Sequence, residues 1–172
     1  MQDLFLAADT CIKELEAELL PAQPREGRFW AYHPLALREW GTGVELARDT
    51  LIAERHCWSG EETYFEVGCG IGTKMRLARA MGWLVHGIEI HEPCAALARR
   101  LSLDVVCADA FDWTDYDADL VYLFRLCVAD DAEAALTKHV AAHMRRGALL
   151  FHVGGPEPEG LEHVGESVWR VG

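Results

Sequence analysis

Three acids and a run of glycines are the residues in this sequence best suited to chemistry. Glu66-Val67-Gly68-Cys69-Gly70-Ile71-Gly72 reads E-x-G-x-G-x-G, between an apolar, strand-like lead-in and a helix-like segment from Lys74 to Met81 closed by Gly82. Glycine lets a backbone turn tightly and approach a ligand with no Cβ in the way. The bare N–H groups at a helix mouth face whatever binds there. Glu89 ends the β-rich run Trp83–Glu89, and Asp109 follows the run Asp104–Cys107. The three acids therefore fall at the carboxyl ends of adjacent strands, where open α/β sheets bind ligands, and Glu89 stands where a carboxylate accepts from ribose hydroxyls. A dinucleotide site would want G-x-G-x-x-G, whose last position is Thr73 here, so the spacing disfavours a dinucleotide. A dinucleotide or other nucleotide on the same architecture stays an alternative.

The elements that must position these residues alternate from Thr63 onward. Strands are expected over Thr63–Val67, Trp83–Glu89, Asp104–Cys107, Asp119–Phe124 and Ala148–Val153. Helices are expected from Pro93 to Leu101 and, capped by Asp130 and Asp131, on to Arg146. Strand, helix, strand in repeated succession predicts a Rossmann-like α/β fold: a doubly wound, mostly parallel sheet with helices on both faces. Ahead of it, Leu4, Ala8, Cys11, Ile12, Leu15 and Leu19 mark one face of a helix over residues 3–20, and Pro21 to Gly27 forms a link. Arg28 to Pro34 gathers three aromatics and His33, as a pocket lining or a cap on the core. A further helix runs from about Pro34 to His56, with Gly41 and Gly43 expected to weaken, bend or break it. The chain thus reads as a single domain over 1–172: an N-terminal helical extension or cap over 1–58, a core over 63–153, and a shortened C-terminal edge hairpin over 154–172, turning at Gly165-Glu166.

Composition narrows the partners. The chain has 172 residues and a formal charge of −12, which disfavours a nucleic-acid backbone or an anionic membrane unless a basic partner is supplied. Its six cysteines include no C-x-x-C pair, and free thiols suit a reducing cytoplasm. The acids and the lysine within the first fourteen residues argue against a signal peptide or a spanning helix there. His139 and His143 share a helix face at i, i+4, but without an H-E-x-x-H acid or a third ligand no metal site is expected.

Over Thr63 to Val153 the sequence resembles the class I S-adenosylmethionine-dependent methyltransferases. Glu66, Gly68, Cys69, Gly70 and Gly72 look like the family's first motif, whose glycines pass the methionine part of the cofactor. Glu89 resembles the acid that binds both ribose hydroxyls, with Ile90 against the adenine. Asp109-Ala110-Phe111 looks like the adenine-edge segment, in which Asp109 accepts from the exocyclic amine and the Ala110 N–H donates to the ring. Asp119 to Phe124 resembles the fourth-strand motif, so that Phe124 is also counted among the cofactor contacts. The resemblance implies S-adenosylmethionine as cofactor and methyl transfer as activity.

Two departures bear on the acceptor. Phe124-Arg125-Leu126 replaces the Asn-Pro-Pro-Tyr type of segment found in many amino-group methylators. Members of the family also usually continue past the fifth strand with a helix and a long hairpin, for which this tail looks too short; the sheet edge is then trimmed or completed by another chain, a second copy included. A small-molecule or protein side-chain acceptor is expected ahead of nucleic acid. The alternative is a cofactor-binding protein without transferase activity, as a regulatory or inactive partner subunit. Transfer from a sulfonium needs mainly alignment, with a general base only for a protonated acceptor. Tyr122, Arg125, His91 and His33 are the candidates near that end of the sheet, more as packing or positioning groups than as proton carriers. Cys69, in a tight turn without a basic neighbour, reads as a small filler.

Overall fold

The computed structural model describes residues 36–172. The helix expected over 3–20, the link at Pro21–Gly27 and the aromatic stretch with His33 lie outside them. Helix α1 (Leu37–Arg55) leads into β1 (Thr63–Val67), α2 (Thr73–Ala80), β2 (Leu84–Glu89), α3 (Glu92–Arg100), β3 (Asp104–Cys107), β4 (Leu120–Phe124), α4 (Asp130–His143), β5 (Leu149–Val153), β6 (Glu162–Gly165) and β7 (Val168–Arg170). The sheet runs β3-β2-β1-β4-β5-β7-β6. Its first five strands pair in parallel, and the final hairpin adds β7 antiparallel to β5. Strand order reverses at β1 and β4, which creates the crevice where sheets of this kind take ligands.

Strand alternation divides the core into two layers. On one face α1, α2 and α3 press Trp40, Val44, Leu51, Met75 and Ala98 onto Tyr64, Val85, Tyr122 and Phe151. On the other, α4 lays Leu136 and Val140 over Phe65, Val121, Leu123 and Leu150. Helices thus cover both faces, as the pattern predicts. None among the described residues is long and apolar enough to cross a membrane.

Local expectations are corrected at the two glycines of α1 and at both ends of α4. Gly41 and Gly43 do not interrupt α1, which is continuous over 19 residues. Gly43 faces the sheet, where a Cβ would come within 2.2 Å of the Phe151 ring; it is there for close packing. Between β3 and β4 the chain makes turns, consistent with a run holding Asp109, Asp112, Asp115 and Asp117 and no helical apolar repeat. Helix α4 stops at His143, because Met144 turns extended and bridges to Tyr116. Its cap is Ala129, with Asp130 and Asp131 in the first turn, where the helix dipole favours acids. The tail after β5 is short, and its hairpin of β6 and β7 brings the sheet to seven strands.

At the amino ends of the strands, buried Asp119 ties distant segments together. Its carboxylate accepts from the Thr63 amide at 2.8 Å and hydroxyl at 3.0 Å, and from the guanidinium groups of both Arg55 and Arg145. This cluster fixes the base of the sheet, leaving the carboxyl ends to carry a site.

Candidate functional site

The turn after β1 is built as its glycines require. Gly68, Gly70 and Gly72 have φ of 70°, 56° and 80°, left-handed values that are costly for residues with a Cβ. The amides of Gly68 and Cys69 both donate to the Ile88 carbonyl at 2.9 Å, and the Gly72 amide closes the turn onto Cys69 at 2.8 Å. Space is tight as well. A Cβ on Gly72 would lie 2.1 Å from Leu103 Cδ1, and one on Gly68 would lie 2.4 Å from Leu126 Cδ2. Cys69 packs toward Gly87 of β2, where a Cβ would stand 3.3 Å from its own. Its thiol is pushed well up, first by burial and then by Glu66 and Glu89. A buried thiol that resists ionisation is a poor nucleophile.

Glu89 is held on both oxygens. The Gly70 amide donates to Oε2 at 2.8 Å and the His91 amide to Oε1 at 2.8 Å. A carboxylate oxygen has two acceptor sites, so each retains one lone pair for a further donor such as a hydroxyl. His91 also contacts Cys94 Sγ through Nδ1 at 3.2 Å, at the entrance to α3. Ile90, the next residue, is 46% exposed.

Glu66 is buried and ends a relay of hydrogen bonds. Trp40 Nε1 donates to the Tyr64 hydroxyl at 3.2 Å, which donates to Glu66 Oε2 at 3.3 Å. The strand-end segment after β3 is also fixed: the Phe111 amide donates to Asp109 Oδ1 at 2.9 Å, and the Tyr116 hydroxyl to the Ala110 carbonyl at 2.7 Å. Tyr116 belongs to no motif of the sequence; its signal is an aromatic amid acidic turn residues, where a polar run would otherwise have no anchor.

The structure brings Glu66 to Gly72 together with Glu89 and Ile90, places Asp109 to Phe111 beyond the adjacent strand β3, and sets Phe124 at the end of β4. It does not bring Tyr122 to the rim. That ring is buried between Tyr64 and Phe151, at centroid distances of 6.3 and 5.1 Å. Burial first, then Glu66 and Glu39, hold its hydroxyl far above the usual range, so it is no proton acceptor at neutral pH. Arg125 sits at the rim with φ 22°. Its guanidinium donates to the Gly154 carbonyl at 2.7 Å and to Asp130 at 2.8 Å, and a permanently charged guanidinium cannot serve as a base. Among the described residues, no group of three or more His, Cys, Asp or Glu is placed to hold a metal ion. His139 and His143 instead contact the carbonyls of Trp113 and His139.

A glycine turn at the mouth of α2, a doubly held acid at the end of β2 and the crevice beside β1 define a Rossmann-like cofactor-binding domain. Residues 65–151 match the methyltransferase-domain family, and the chain belongs to it. Among solved structures, the plantazolicin methyltransferase BpumL, in complex with a pentazolic desmethylPZN analog and SAH, gives a TM-score of 0.53 at 13% identity, over 67% of this chain and 46% of its own. That likeness shows the fold. The magnesium protoporphyrin IX methyltransferase ChlM from Synechocystis PCC 6803, with bound SAM, gives 0.45 at 18% identity, over 70% and 64%. A SAM-dependent methyltransferase from Methanosarcina mazei gives 0.48 at 18% identity, over 58% and 55%. The chain thus spans about half to two thirds of the length of these three. No protein of curated function matches it by sequence.

Proposed function

We propose that this chain binds S-adenosylmethionine at the carboxyl end of its sheet and catalyses transfer of the methyl group to a small molecule or a protein side chain. The observation that carries the reading is Glu89, a buried acid whose two oxygens are fixed by the Gly70 and His91 amides while each keeps a lone pair for a ribose hydroxyl. The left-handed glycines of the loop suit close passage of a ligand past the backbone.

When bound, the cofactor supplies an electrophilic methyl on a sulfonium centre. Glu89 would hold the ribose, Ile90 and Phe111 would flank the adenine, and Asp109 and Ala110 would address its edge. Gly68 to Gly72 would pass the methionine part, with Phe124 and the loop after β4 forming the facing wall. The protein's share of catalysis is then alignment and exclusion of water. Arg125, already paired, would shape the rim. The charge of −12 favours a neutral or cationic acceptor over a phosphate backbone.

Calorimetry with S-adenosylmethionine and S-adenosylhomocysteine tests the binding, and Glu89→Ala should weaken both by more than tenfold, as expected when a charged acceptor is lost. Unchanged affinity in that variant would refute the assignment. Release of S-adenosylhomocysteine on incubation with metabolite and protein pools tests transfer. Binding with no release from any pool would instead favour a cofactor-binding subunit.

A further inference from the structure

Beneath the loop that follows β4 lies a buried acid–imidazole pair that the site as described does not use. Glu133 on α4 is fully buried, and His152 on β5 is 2% exposed. Glu133 Oε1 lies 3.1 Å from His152 Nε2. Its other oxygen, Oε2, accepts from the Cys127 amide at 2.7 Å. Thr137 completes the group, donating to the Glu133 carbonyl at 2.9 Å with its hydroxyl 3.4 Å from His152 Nε2. Gly155 seals it from above: a Cβ there would come within 2.7 Å of Glu133 Cγ and of the His152 ring.

An ordinary capping box returns a Glu at the third helical position to the cap residue's own amide. Glu133 is the fourth residue of α4, and it reaches past the cap, Ala129, to Cys127. The target is the loop, whose geometry is constrained on both sides. Arg125 takes φ 22° and donates its amide to the Val153 carbonyl at 3.1 Å. Leu126, between Arg125 and Cys127, lies against Gly68 of the glycine turn. A continuous chain of contacts therefore runs from the buried pair through Cys127 and Leu126 to Gly68.

We infer that Glu133 and His152 form a positioning pair which, through the Cys127 amide, holds the loop after β4 against the glycine turn and so sets one wall of the candidate cofactor site. The effect on cofactor affinity rests on the function proposed above; the hold on the loop does not. A carboxylate so deeply buried costs free energy unless both oxygens are satisfied, and here one partner is the loop itself.

Amide hydrogen exchange in the full chain, read by NMR or by mass spectrometry with electron-transfer fragmentation, tests the hold. Glu133→Ala should speed exchange of the Cys127 amide by about tenfold or more, the loss expected for a hydrogen bond to a charged group, beyond any change in the central strands β1 and β4. Glu133→Gln, which keeps an acceptor for Cys127, should restore most of the protection. Calorimetry with S-adenosylhomocysteine should show weaker binding in the alanine variant and recovery in the glutamine variant. If Glu133→Ala does not fold, His152→Leu makes the test from the other side: it strips Oε1 of its partner and should speed Cys127 exchange severalfold. Unchanged Cys127 protection, acceleration equal to that of the whole sheet, or a glutamine variant as impaired as the alanine one would each overturn the inference. Failure of the wild-type chain to bind S-adenosylhomocysteine would sink the functional reading alone, since the exchange measurement still decides whether the pair holds the loop.

Discussion

The Gly70 amide and the Glu89 carboxylate, 19 residues apart, meet at 2.8 Å, so the glycine turn and the strand-end acid form one unit before any ligand arrives. Glu89→Gln should therefore be far from silent despite its near-identical shape. Glutamine has one acceptor oxygen for the two loop amides of Gly70 and His91, and its NH2 would face a donor. We expect a loss of about 1.5–3 kcal/mol in cofactor binding, the range for hydrogen bonds to charged groups, measured by calorimetry. A variant with wild-type affinity would show that the carboxylate charge is dispensable.

The two glycines of α1 should respond in opposite directions. Nothing lies within 4 Å of a Cβ added at Gly41, so Gly41→Ala should stabilise the helix by about 0.5–1 kcal/mol. At Gly43 the added methyl meets the Phe151 ring at 2.2 Å, and overpacking costs about 1–3 kcal/mol, more than the helix gain returns. Thermal unfolding of the two variants side by side checks the sign of each. Stabilisation at both positions would mean that α1 does not sit this close to β5.

Asp119 should make the fold sensitive to acid. Burial alone would raise its carboxyl, but the Thr63 amide, Arg55 and Arg145 outweigh burial and hold it below the usual range. A depressed value in the folded state contributes stability above the unfolded value, near 4, and loses it as pH falls through the folded value. The wild-type melting temperature should therefore drop on acidification below about pH 4. Asp119→Asn should lower it at pH 7, by about 1–3 kcal/mol of stability, and flatten the acid limb. Parallel acid limbs for the two proteins would remove Asp119 from this role.

Cysteine reactivity should separate by environment. Cys69, Cys94 and Cys127 are buried, whereas Cys57 and Cys107 are exposed. The Cys107 thiol is pushed up, first by desolvation and then by Glu92, which lowers its thiolate fraction. Iodoacetamide on the native protein at pH 8, followed by peptide mass mapping, should among these five label Cys57 first, Cys107 more slowly and the buried three last. Rapid labelling of Cys69 would contradict the tightly packed glycine turn.

Much of the core was legible because it is locally encoded. Thr63–Val67 and Asp104–Cys107 are short β-forming runs between turn residues, and their expected bounds match the observed strands. The glycine turn and its acids were legible because backbone conformation and strand-end position impose those residue types. Packing between distant segments was not. Gly43 reads as a helix breaker until Phe151 is placed above it. The Glu133–His152 pair joins a helix to a strand 19 residues on, and no motif links them, although both residues interrupt apolar patterns. Glu133 falls on the same helix face as Leu136 and Val140, and His152 sits inside the all-buried β5. A charge on a buried stripe is the trace such a pair leaves in sequence.

The sheet's two outermost strands carry a consequence for how copies of the chain meet. Strands β3 and β6 are four residues long. The first bears Asp104, paired with His86, and the second begins at Glu162, beside Arg170, and breaks register between His163 and Gly165. Short, charged and irregular edges offer a poor template for another strand to add to. At high concentration these borders should resist strand-by-strand accretion and fibre growth.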